Sequence, residues 1–312
     1  QSLSVAGDTI IWKQGVYTDV SLSVSGSNLT ILAEVPGRTI FTGASKIFIS
    51  GSNNLIDGFQ YLNGNIGTDV ILQTSGSNNH FTRLNFQGYY SSKYVVFNAG
   101  TQYNKLSYSN LQSRTFLGDK NILSILVDEN IPGYHTIQYC SFKDFEGTGG
   151  DAGIEPIRIG VSTQAQFVSR SVVEYCYFEQ CNGDGEIISN KSRQNVFRYN
   201  TFYDNPYSEL VLRHGNECIV YGNFFLNGYG GIRIKEGQKY YVYNNYFSDL
   251  DSRSIDLQNY AADPLDSILI AYNTFVNSAK VNLGGSGSNA PTNVTFANNI
   301  FADPTGNLLF DP

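Results

Sequence analysis

Tyr199-Asn200-Thr201-Phe202, Tyr221-Gly222-Asn223-Phe224-Phe225 and Tyr243-Asn244-Asn245-Tyr246-Phe247 are three versions of one phrase. Each runs from an aromatic residue through Asn or a small residue to Phe. Downstream the phrase returns as Tyr272-Asn273-Thr274-Phe275 and Ala297-Asn298-Asn299-Ile300-Phe301. Upstream it reads Tyr175-Cys176-Tyr177-Phe178, Tyr139-Cys140-Ser141-Phe142 and Leu84-Asn85-Phe86. From Phe178 onward the intervals are 24, 23, 22, 28 and 26 residues. Self-similarity at such a period marks a solenoid, a propeller or an array.

The residues between the phrases choose among these. Short alternating stretches are broken by Gly, Asn, Asp or Ser, which leaves no room for a ten-residue helix. A propeller blade needs about 40 residues or more, whereas a coil absorbs a drifting period by lengthening one loop. Asn recurs at one phase, where its tolerance of left-handed backbone suits a sharp corner. The expectation is an all-β, single-domain parallel β-helix over residues 1–312, with about ten coils. Its Phe and Asn ladders are read as structural. The C-terminal Asp303-Pro304-Thr305-Gly306 is a candidate end cap.

Composition sets bounds on function. The net charge of −7 and pI near 5.0 argue against a general nucleic-acid binder, which would be basic. No apolar run approaches the roughly 18 residues of a spanning helix, so no membrane partner is expected. The sequence contains no Met, which suggests a processed or engineered start, any signal peptide having been removed. Cys140, Cys176, Cys181 and Cys218 lack metal-ligand spacing. Cys140 and Cys176 precede repeat phenylalanines, as buried thiols in preference to a disulfide.

One strand position, read across turns, carries charge. Glu155-Pro156-Ile157-Arg158, Glu186-Ile187-Ile188-Ser189-Asn190-Lys191, Glu209-Leu210-Val211-Leu212-Arg213-His214 and Gly230-Gly231-Ile232-Arg233-Ile234-Lys235 align on their first residues. Glu155, Glu186 and Glu209 then share a column, and Lys191, His214 and Lys235 another. The Lys191-to-Arg213 interval of 22 residues places a candidate base beside a candidate acid on neighbouring turns. Stacked carboxylates, with Asp184 adding one more, suit a hard cation such as calcium. The alternative is that the glutamates simply pair with Arg158, Lys191 and Arg213.

Glu186-Ile-Ile-Ser-Asn-Lys191-Ser192, Leu212-Arg213-His214-Gly215-Asn216 and Gly230-Gly-Ile-Arg233-Ile together resemble polysaccharide lyase family 6, the alginate lyase and chondroitinase B family. The likeness extends to Gly7-Asp8-Thr9-Ile10, Ala33-Glu34-Val35-Pro36-Gly37 and Glu155-Pro156-Ile157-Arg158, and thins after about residue 250. It implies a right-handed coil and β-elimination on a uronic acid. Lys191 would be the base and Arg213 the acid. His214, Arg233, Arg158, Lys235 and Tyr229 would contact substrate, Arg158 being equally suited to pair with Glu155 or Glu186. Calcium would be held by Asp184 and Glu186. The family's asparagine one turn earlier has no counterpart at Asp151-Ala152-Gly153, so Asp151 or Glu155 would substitute.

The expected substrate is alginate, with dermatan sulfate as the alternative, and the expected location is secreted or periplasmic. Two other classes compete. A β-helix hydrolase of pectin-like polymers would use a carboxylate pair such as Asp184 and Glu186. A non-catalytic β-helix would hold an acidic polysaccharide on its basic strip. The sequence leaves oligomeric state open.

Overall fold

Each turn of the chain is built from short strands whose ends are bent by single left-handed residues. In one turn Tyr199, Asp204 and His214 follow the strands Val196–Arg198, Thr201–Tyr203 and Glu209–Arg213, with φ of 57°, 51° and 62°. The computed structural model describes residues 4–147, 149–259, 265–278, 280–284 and 289–302. Repetition of this turn gives three parallel sheets of 12, 12 and 11 strands, hence a parallel β-helix of about eleven turns. Sheet 1 runs from Thr9–Trp12 to Thr292–Ala297, sheet 2 from Gly15–Thr18 to Ile300–Ala302, and sheet 3 from Ser21–Val24 to Val281–Asn282. The extra turn relative to the phrase count lies at the start, where Gly15–Thr18 and Thr39–Thr42 form strands without the aromatic-Asn-Phe phrase. Among the described residues the one helical element is the short 3-10 turn Ser162–Gln164, and no helix is long and apolar enough to cross a membrane. The Asp303 segment lies outside the described residues.

The repeat phenylalanines form the core of sheet 2. Phe142, Phe178, Phe202, Phe225, Phe247, Phe275 and Phe301 stack with centroid spacings of 4.6 to 4.9 Å. That spacing is set by the strand separation of about 4.8 Å, so one ring per turn fills the interior without a gap.

The asparagines two residues before these rings form a hydrogen-bonded ladder instead of the corner itself. The backbone N–H of Asn200 donates to Asn223 Oδ1 at 2.9 Å, Asn223 to Asn245 at 3.0 Å, Asn245 to Asn273 at 3.0 Å and Asn273 to Asn299 at 2.8 Å. The left-handed residue is the one before: Tyr139, Tyr175, Tyr199 and Tyr272 take φ of 52°, 53°, 57° and 58°. The ladder asparagines must keep ordinary backbone so that their amides point inward along the axis. A left-handed tyrosine costs roughly 1–2 kcal/mol. Outward stacking of Tyr108, Tyr139, Tyr175 and Tyr199, with centroids 4.9 to 5.0 Å apart, offsets part of this. Asn223→Ala would orphan the buried Asn200 N–H. It is expected to lower stability by about 1–3 kcal/mol, read as a lower urea midpoint at unchanged slope.

Cys140 and Cys176 occupy the same ladder position in earlier turns, and the Cys176 N–H donates to Asn200 Oδ1 at 2.9 Å. All four cysteines are buried free thiols. Burial pushes the Cys176, Cys181 and Cys218 thiols up, Cys218 to about 11, which keeps them protonated and inert.

Candidate active site

The candidate residues converge on the outer side of sheet 3. In the strands Ile157–Ile159, Glu186–Asn190, Glu209–Arg213 and Ile232–Lys235, alternation sends Ile157, Ile159, Ile188, Leu210, Leu212, Ile232 and Ile234 into the core. Arg158, Ser189, Val211 and Arg233 share one register column, and alternation turns it outward.

A β-bulge sets which charged groups become neighbours. Glu186 pairs with Glu209, but Ile188 pairs with Leu210, so Ile187 is the extra residue. The shift carries Asn190 opposite Leu212, which puts Lys191 beside Arg213, and Arg213 itself pairs with Lys235. The cationic column is therefore Lys191, Arg213, Lys235, and not Lys191, His214, Lys235 as the simple alignment predicts. His214 turns away at its left-handed φ of 62°, where Nδ1 meets the buried carboxylate of Glu236. Glu186 and Glu209 are paired in register, and Glu155, which precedes the strand Ile157–Ile159, offers an oxygen within 4.8 Å of one from Glu186.

A groove of about 570 Å³ opens over this surface. Asp151, Glu186, Arg213, Tyr229, Arg233 and Lys235 line it. Lys191, Asp184, Glu155, Arg158 and His214 lie outside that lining. The sequence reading missed Arg253, Asp256 and Gln258, which come from the strand Ile255–Gln258 and the loop before it. Their signal was available, because Asp256 follows Arg233 and Gln258 follows Lys235 in register. Glu209, read only as a column member, is a buried groove wall whose Oε1 lies 2.9 Å from Arg233 Nε. Burial raises its carboxyl to about 7, Arg233 opposing the rise.

Lys191 is half-buried, and among the described residues its ammonium makes no ion pair or hydrogen bond. Burial lowers its pKa, with Arg158 and Arg213 pushing the same way against Glu186 and Glu155. Arg213 Nη1 lies 3.3 Å from Glu186 Oε1, and Arg233 Nη2 lies 3.7 Å from the same oxygen. The pairing resolves Arg158: its guanidinium grips Glu155, with Nη2 at 2.7 and 2.6 Å from the two carboxylate oxygens.

Glu155, Asp184 and Glu186 are buried together, each offering an oxygen within 4.8 Å of the others. Asp184 is fixed by backbone, its Oδ1 accepting from the Glu186 N–H at 2.9 Å and its Oδ2 from the Gly153 N–H at 2.5 Å. Burial, then Glu155, pushes the Asp184 carboxyl up to about 6. Glu186 Oε2 is buried without a partner. Clustered carboxylates with an orphaned oxygen fit a hard cation, which takes oxygen ligands. Asp151 is not brought into this cluster: it is exposed, and the neighbouring Gly153 N–H is what reaches Asp184. Of the two candidates, Glu155 is the one that lies in the acidic cluster.

The chain is a member of the chondroitinase B family, whose model matches residues 2–307, and so of polysaccharide lyase family 6. It is homologous to enzymes that cut polysaccharides by a lyase reaction. Similar solved structures include a mannuronic acid-specific family 6 lyase from human gut microbiota, at 26% identity and TM-score 0.82, covering 96% of this chain and 77% of that one. The family 6 alginate lyase AlyGC matches at 23% identity and TM-score 0.85, covering 99% of this chain but 51% of that one, so this chain spans about half its length. A family 6 alginate lyase bound to a trisaccharide matches at 18% identity and TM-score 0.84, covering 98% and 76%. These last two likenesses carry the fold alone. No curated protein matches the chain.

Proposed function

We propose that the protein cleaves alginate by β-elimination, with Lys191 as base and Arg213 as acid. The observation that carries this is an unpaired, half-buried lysine one strand spacing from an arginine, beside a buried carboxylate cluster in which Glu186 Oε2 has no partner. The neutral Lys191 amine takes the C5 proton of a uronate. The C5–H electron pair becomes the C4–C5 double bond as the C4–O bond breaks. Arg213 stabilises or protonates the departing oxygen, and Arg233, Lys235 and Tyr229 line the groove that receives the chain. Calcium bound by Asp184, Glu186 and Glu155 would neutralise the substrate carboxylate and so acidify the C5 hydrogen. Alginate is favoured because relatives of this fold act on it or on mannuronic acid. A polymer of that size is met outside the cytoplasm, which supports a secreted or periplasmic setting.

Purified protein incubated with alginate should give a rising ultraviolet absorbance from the unsaturated uronate. Dermatan sulfate in the same assay tests the second reading, which the chondroitinase B family match favours. A flat trace with both polymers, with added calcium, would sink the lyase reading. Chelation should abolish the rise and calcium restore it. It should also lower the melting temperature, since an ion that binds only the folded state stabilises it.

The rate should rise with pH, because only the neutral amine accepts a proton. A lowered Lys191 pKa puts the midpoint of kcat/KM below the ordinary lysine value of about 10.4. Arg158→Gln removes one cation that lowers this pKa, so the rising limb should move to higher pH. A limb that stays in place or moves to lower pH would contradict that assignment.

A further inference from the structure

Two exposed tyrosines, Tyr207 and Tyr229, stand on one wall of the groove over sheet 3. Tyr207 lies three residues before Leu210 and Tyr229 three before Ile232, and Leu210 pairs with Ile232, so the two hold one position in successive turns. Backbone fixes that position. The Tyr229 N–H donates to the Asn205 carbonyl at 2.8 Å, and the Ser252 N–H of the following turn donates to the Tyr229 carbonyl at 2.6 Å. In the preceding turn the column begins at Asp184, two residues before Glu186, which pairs with Glu209. The tyrosine wall therefore runs from the carboxylate cluster toward the later turns.

Tyrosines of equal phase elsewhere in the chain spend their ring faces on each other. Tyr108 with Tyr139, Tyr139 with Tyr175, Tyr103 with Tyr134 and Tyr221 with Tyr243 stack with centroids 4.9 to 5.0 Å apart. Tyr207 and Tyr229 do not. They are 46% and 41% exposed, and among the described residues neither ring makes an aromatic contact and neither hydroxyl a hydrogen bond. Tyr207 is seated from behind, because a side chain at Gly149, where φ is +73°, would meet its Cβ at 2.8 Å. Glycine there lets the loop before Asp151 close against the root of the ring. The ring faces themselves are left to whatever enters the groove.

The opposite wall is cationic: Arg213 pairs with Lys235, and both line the groove. Rings along one side and cations along the other match a ligand with a C–H face and a charged edge. The negative face of a tyrosine ring attracts the polarised C–H bonds of a pyranose. A carboxylate on the same sugar reaches the guanidinium or ammonium across the groove. The spacing agrees as well. Turns about 4.8 Å apart are close to the advance of one 1,4-linked pyranose along its chain, so successive sugars meet successive turns. An extended peptide, advancing about 3.3 Å per residue, falls out of step with them.

We propose that Tyr207 and Tyr229 are stacking subsites for two consecutive uronates of the substrate chain, on the side of the cleaved bond that faces the later turns. The inference rests on the uronate-polymer reading above, and adds the direction in which the chain lies and the wall that holds it.

The test is calorimetric titration of tetramannuronate and, separately, tetraguluronate into the full chain carrying Lys191→Ala, with calcium present, so that binding is read without turnover. For whichever tetramer binds more tightly, Tyr207→Ala and Tyr229→Ala should each weaken binding roughly three- to tenfold. Tyr207→Phe and Tyr229→Phe keep the ring and should bind within about twofold of the parent. Tyr139→Ala, which removes a ring of similar exposure outside the groove, should change nothing. Binding of neither tetramer, alanine variants that bind like the parent, or phenylalanine variants that lose as much as the alanine ones would overturn the proposal. Ring-dependent tetramer binding with no lyase activity in the unsubstituted protein would sink the catalytic reading alone. Lyase activity with binding indifferent to both rings would sink the stacking subsites alone.

Discussion

Lys191→Ala is expected to lower kcat on alginate by roughly 100- to 10,000-fold, the range ordinarily lost with a general base. The variant should keep its fold, because Lys191 sits past the end of the strand Glu186–Asn190 and its ammonium bonds to nothing among the described residues. Its removal therefore takes away a proton acceptor and little packing. KM should change much less than kcat, since a base acts on the transition state more than on the bound ground state. Arg213→Ala should lower kcat and also raise KM, because Arg213 lines the groove and also faces Glu186 at 3.3 Å. Steady-state kinetics with a circular-dichroism check separates the cases. A folded Lys191→Ala protein with near-normal kcat would remove the base from the account.

Phe225→Ala should give the largest loss of stability among single core substitutions, about 3–5 kcal/mol. Phe225 is 1% exposed and stacks between Phe202 at 4.6 Å and Phe247 at 4.9 Å. Its truncation removes buried apolar surface and also leaves a hole in a column whose neighbours are held by parallel strand pairing above and below. Those strands cannot close the gap without breaking register, so the cavity persists. The denaturation midpoint reports the loss. A cost below about 1 kcal/mol would mean that the ladder is not the main support of sheet 2.

The period of the Phe phrase made the coil legible, because one inward ring per turn is a geometric demand of stacking. The local spacing was legible too, but incompletely used. Glu186 to Glu209 is 23 residues while Lys191 to Arg213 is 22. That one-residue difference is the Ile187 bulge, and it moves His214 out of the cationic column. Asn54, Asn79 and Asn104 likewise recur every 25 residues and form a second ladder before sheet 1, with the N–H of Asn54 donating to Asn79 and that of Asn79 to Asn104, each at 2.9 Å. Other features had no local signal. Tyrosine is a poor left-handed residue, so Tyr199 gave no hint of the corner it makes. The Glu155–Arg158 grip had an equal competitor in Glu186, which the structure gives to Arg213 and Arg233 at longer range.

The central claim is elimination at a uronate by Lys191 and Arg213. Its most direct test is to count, in one alginate digest, new reducing ends by a chemical assay and new double bonds by ultraviolet absorbance. Elimination predicts one double bond for every new end, with both lost together in Lys191→Ala. New ends without double bonds would show hydrolysis and contradict the account.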